Sequence, residues 1–86
     1  MALHSRNLCT GRQLRAARVM AGLSQKMLAA KLEVDERAVR VWEAQTDRRP
    51  TGAPNDARIE EVLRDCGVVL FAEPTPGARL REKTAR

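Results

Sequence analysis

Glu36, Arg37 and Arg40 share the outward face of a short predicted helix whose inner face carries Val39 and Trp42. A carboxylate and two guanidinium groups at this spacing have no nucleophile beside them and no second acid to work with. Their chemistry is that of binding an anion, and DNA is the first partner to consider. The basic residues nearby agree. From Arg12 to Arg49 there are nine Lys or Arg against five Asp or Glu, whereas Asn55 to Glu73 holds two against five.

Two start signals position those side chains. Asp35 is a good N-cap immediately before Glu36, and Ser24 is another before Gln25, each able to accept hydrogen bonds from the free amides of a first turn. Leu28, Ala29 and Leu32 line one face of the earlier helix, and Val34 sits in the connecting turn as a plug. The segment from Gly22 to Glu43 therefore reads as helix, tight turn, helix. A further helix over roughly residues 11–21 is capped by Thr10, buries Leu14 and Ala17, turns Arg12 and Arg15 outward, and stops at Gly22.

Residues 45–54 contain two prolines and a glycine, which exclude a continuous helix there. Asn55 is expected to cap a fourth helix with an apolar stripe of Ile59, Val62, Leu63 and Cys66, ending at Gly67. Asp56, Glu60 and Glu61 in it favour the positive end of its dipole. Val68 to Ala72 changes period and reads as a strand, Glu73 to Gly77 is turn chemistry, and Ala78 to Arg81 returns as the second strand of a hairpin. Val68 and Leu70 point to one side and Val69 and Phe71 to the other, so the strand needs cover on both faces. One face can pack on the fourth helix. For the other, a second copy of the chain is expected in preference to the N-terminal arm carrying Leu3 and Leu8, and Val69, Leu70 and Phe71 are the expected dimer contacts.

At 86 residues the chain has room for one small domain. Its formal net charge is +5 and its pI about 10.2. The division expected is an arm over residues 1–9, a DNA-binding domain over 10–66, a hairpin over 67–81 and a basic tail over 82–86 that keeps the chain end soluble. Cys9 and Cys66 lie on different elements with no histidine near them, and His4 stands alone, so neither a metal site nor a cofactor is expected. Met1, Ala2 and Leu3 are followed by His4 and Arg6 before an apolar stretch develops, which is not a signal peptide. The expectation is a cytoplasmic protein with reduced thiols and no membrane contact.

The segment from Leu14 to Pro50 resembles the Cro/cI-type helix-turn-helix regulators of the xenobiotic-response-element class. The resemblance is carried by Leu14 with Arg18, by Gly22-Leu23-Ser24-Gln25, by Leu28-Ala29, by Val34, Val39 and Trp42-Glu43, and by Arg48-Arg49-Pro50. It implies a mainly α, lambda-repressor-like domain of four or five helices with a C-terminal hairpin, as in short bacterial members. It also implies a transcriptional repressor that binds a palindromic operator on double-stranded DNA as a homodimer. Glu36, Arg37, Arg40 and Val41 fall where this family reads base edges. Arg37 and Arg40 can each offer a paired donor to guanine, and Val41 an apolar contact to a thymine methyl. Ser24, Gln25 and Lys26 at the first helix start, with Arg48 and Arg49 beyond the second, match phosphate-binding positions.

By the same resemblance, Arg18 and Glu43 form a partly buried salt bridge. Glu36, where Gln or Ser is usual, is expected to hold Arg40 through an i, i+4 pair. Glu33 stands where most members have glycine with a positive φ, so a remodelled turn is expected. Met27 replaces a frequent Glu and is expected to pack between Leu23 and Leu28.

An antitoxin or adaptor that engages another protein is the alternative function. An enzyme is not expected, because the sequence offers no Gly-rich phosphate loop and no nucleophile-base pair, and no small-molecule effector is evident. The absence of tyrosine, with only Trp42 and Phe71 as aromatics, argues against stacking on single-stranded nucleic acid too.

Overall fold

The computed structural model describes residues 7–51 and 53–81. In chain order the elements are α1 (Gly11–Met20), α2 (Gln25–Leu32), α3 (Glu36–Ala44), α4 (Ala53–Asp65), β1 (Val68–Phe71) and β2 (Gly77–Leu80). This is the mainly helical domain with a terminal hairpin that the patterning implies. Leu3, His4 and the tail over 82–86 lie outside the described residues.

Three helix starts are chemically explicit. Thr10 Oγ1 accepts from the Gln13 amide at 3.0 Å while Gln13 Oε1 accepts from the Thr10 amide at 3.4 Å, a reciprocal capping box. Ser24 accepts from the Met27 amide and Asp35 from the Arg37 amide, both at 3.0 Å. The fourth start differs from expectation: α4 begins at Ala53, two residues before Asn55. Pro54 is compatible with a first turn because its missing N–H has no acceptor to lose there. The Asn55 side-chain amide instead donates to Thr51 Oγ1 at 3.1 Å.

The α2–α3 turn is not remodelled. Glu33 takes the left-handed conformation itself, φ 60 and ψ 44, and its amide and that of Val34 bond to the Ala30 and Ala29 carbonyls. The helix-ending bonds outweigh a local strain of roughly 1–2 kcal/mol. Met27 is a second correction: at 49% exposure it lies on the surface, and Leu23 and Leu28 enter the core without it.

Leu14 and Ala17 from α1, Leu28 and Leu32 from α2, Val39 from α3, and Ile59 and Leu63 from α4 form one apolar cluster with Val68 and Leu70 of β1. The hairpin is antiparallel, Val69 opposite Arg79 and Phe71 opposite Gly77, and α1 and α4 pack against it. Leu70, expected at a dimer contact, is 2% exposed within this core and offers no surface to a second copy. Val69 and Phe71, on the opposite face, are half-buried. The Phe71 ring lies across Gly77, where a Cβ would come within 2.6 Å of ring carbons. Leu8 is also buried in the core, so the arm contributes more than its position at the chain end suggests.

Gln13, only 3% exposed, joins the arm to the hairpin. Its Nε2 donates to the carbonyls of Asn7 at 2.6 Å and of Phe71 and Gly77 at 2.9 Å, while its Oε1 accepts from the Cys9 amide at 2.6 Å. Acceptors on one side and donors on the other fix the orientation of the amide.

The first turn of α1 meets the chain again after α3. The Gly11 amide donates to the carbonyls of Gln45 at 2.9 Å and Arg48 at 3.2 Å. A Cβ at Gly11 would stand 2.3 Å from the Trp42 carbonyl oxygen and 2.7 Å from that of Gln45. Alanine inside a helix ordinarily gains up to about 1 kcal/mol over glycine. Here that sign should reverse, because backbone must move: Gly11→Ala should lower stability by about 1–3 kcal/mol in urea unfolding. A stabilised variant would show that the contact yields easily.

Candidate nucleic-acid interface

The helix α3 presents Glu36, Arg37, Arg40 and Val41 outward. Val41 is half exposed despite being apolar, and Glu36 Oε2 lies 3.1 Å from Arg40 Nη1, the expected orienting pair. Both side chains remain about half open, so the pair steers Arg40 and adds little stability. Among the described residues Arg37 has no ion pair, and it is exposed.

What holds α3 in place lies behind it. Arg18 Nε meets Glu43 Oε2 at 2.6 Å and Arg18 Nη2 meets Oε1 at 3.2 Å, with side chains only 13% and 5% exposed. Arg18 Nη1 also donates to the Leu23 carbonyl at 2.8 Å, at the entry to α2. Gln25 Nε2 donates to Glu43 Oε1 at 3.1 Å. One carboxylate thus ties the end of α3 to α1 and to the first residue of α2.

Ser24 and Lys26 flank Gln25 at the exposed start of α2. Of the two arginines after α3, Arg48 is exposed and without an ion pair among the described residues. Arg49 is engaged elsewhere, since its Nε lies 2.5 Å from Asp56 Oδ2 and the Asp56 side chain is fully buried. Stranding a buried carboxylate is unfavourable, so Arg49 is a latch between this loop and α4 before it is anything toward a phosphate. In the sequence Asp56 shows only as an acid in a helical first turn.

A helix-turn-helix family model matches residues 14–67, well over half of the chain. The chain belongs to the Cro/cI-type helix-turn-helix family. It is accordingly a DNA-binding transcriptional regulator, with double-stranded DNA as its partner. No curated protein and no solved structure gives a match. α2 and α3 are the two helices of the helix-turn-helix, and the Arg18, Glu43 and Gln25 network is the brace between them. Among the described residues no helix is long and apolar enough to cross a membrane.

Proposed function

We infer that the protein is a cytoplasmic repressor that binds a palindromic operator as a homodimer, inserting α3 into the major groove. The observation that carries this is the outward face of α3: a free Arg37, an Arg40 held by Glu36, and an exposed Val41 on a helix braced from behind. Arg37 and Arg40 would read guanines, and Val41 would touch a thymine methyl. Gln25, Lys26 and Arg48 would meet phosphates to either side, and Ser24 would set the direction of the α2 amides.

One recognition helix reads few bases, so two are needed for a specific site. The domain measures 39 × 27 × 26 Å. Copies set side by side would separate equivalent helices by a distance within these extents, a range that includes the roughly 34 Å of one duplex turn. The half-buried Val69 and Phe71 face is the surface through which such copies would pair. Occupying a promoter in this way blocks polymerase without any activating surface.

Selecting bound duplexes from a random pool tests the reading. An inverted repeat with half-sites about one turn apart is the expected result, and a single asymmetric site would sink it. Sedimentation should give twice the monomer mass, and Phe71→Asp should return it to the monomer.

A further inference from the structure

A hollow beside α3 is lined by Arg15 and Arg18 of α1, Gln25 of α2, and Arg40, Glu43 and Ala44 of α3. Its charges do not cancel. Arg18 and Glu43 neutralise one another, and Arg40 leans on Glu36. Arg15 has no ion pair among the described residues and is exposed. Lying three residues before Arg18, it is on the same side of α1 as the brace.

The dimensions say what comes to this place. The major groove is about 12 Å wide and a helix with its side chains about 10–12 Å across, so a recognition helix fills the groove from wall to wall. The walls are phosphodiester backbone, and each meets whatever flanks the helix. On the α1 and α2 side of α3, that is the hollow.

We propose that this hollow seats a phosphate of the operator backbone and that Arg15, from α1, grips it beside Gln25. The inference rests on α3 being the recognition helix and extends the DNA surface to α1, a helix that the sequence alone does not place on it. The contact carries no base information, because every sequence presents the same phosphate.

The test compares binding of a labelled random-sequence duplex of about 20 base pairs, and of the duplex recovered by selection, across about 50 to about 200 mM salt. Arg15→Ala should weaken both duplexes alike. It should also lower the slope of log affinity against log salt by about 0.9, so that the loss over this range becomes about threefold to fourfold smaller. Arg15→Lys should keep the slope, and Arg58→Ala, which removes an exposed charge on α4 outside the hollow, should leave it unchanged. A wild-type slope in Arg15→Ala, or an equal fall in Arg58→Ala, overturns the proposal. If Arg15→Ala fails in this way while removal of Arg37 and Arg40 abolishes discrimination, only the phosphate seat is wrong. Retained discrimination without Arg37 and Arg40 overturns the recognition helix, and the seat with it.

Discussion

Replacing Arg37 and Arg40 together with alanine should leave the fold intact and remove most of the preference for operator over random duplex. Each bidentate arginine-guanine contact provides about 1–3 kcal/mol of discrimination, so the pair accounts for roughly 2–6 kcal/mol. That is a fall in the affinity ratio of between about 30-fold and about 10⁴-fold. Stability should change by less than about 0.5 kcal/mol, since both side chains are exposed and the Glu36 pair is a surface one. The single changes should differ. Arg37→Ala removes a free reader, whereas Arg40→Ala also releases Glu36, whose carboxylate then repels the duplex. The second should therefore be the more damaging in competition binding. A double variant that still discriminates would place base reading elsewhere.

Most of the arrangement of α1, α2 and α3 could be anticipated from the sequence because it rests on short-range rules. N-caps at Thr10, Ser24 and Asp35, apolar residues at helical spacing, and the i, i+4 relation of Glu36 to Arg40 are all local. The Arg18 and Glu43 bridge spans 25 positions and came from family resemblance, not from periodicity. What escaped depends on where distant backbone arrives. Gly11 looks like a poor helix residue until the carbonyls of Trp42 and Gln45 are seen against it. Gln13 looks like half of a capping box, yet its other atoms hold two hairpin carbonyls some sixty residues away. Arg49 follows the recognition helix as a phosphate binder would, but a carboxylate seven residues later is buried beneath it. Alternation assigned Val68 and Leu70 to one face correctly, and could not say that α1 would cover it.

These long-range contacts converge on one end of α1. Gln13 holds the closed end of the hairpin, and Gly11, two residues earlier, holds the loop that carries Arg48. The surface proposed for pairing and the loop proposed for phosphate contact therefore hang from the same helical turn. Misplacing that turn should disturb both.

Glu43→Ala should be the most destabilising of the changes considered, by about 3–5 kcal/mol. The carboxylate is 5% exposed and accepts from two nitrogens of Arg18 and from Gln25, and without it Arg18 keeps, among the described residues, only the Leu23 carbonyl in a largely buried setting. The penalty comes from the stranded guanidinium more than from the lost attraction. A domain of this length has a total stability of roughly 4–13 kcal/mol, so the variant should melt at least about 12 °C lower or fail to fold. The paired change Arg18→Met with Glu43→Leu separates the two roles of the bridge. With both charges gone and similar volume restored, most of the stability should return. DNA affinity should not, because Gln25 of α2 has lost its acceptor and α3 its charged tie to α1. If the paired variant recovers binding as well as stability, the bridge serves folding alone and does not position the recognition helix.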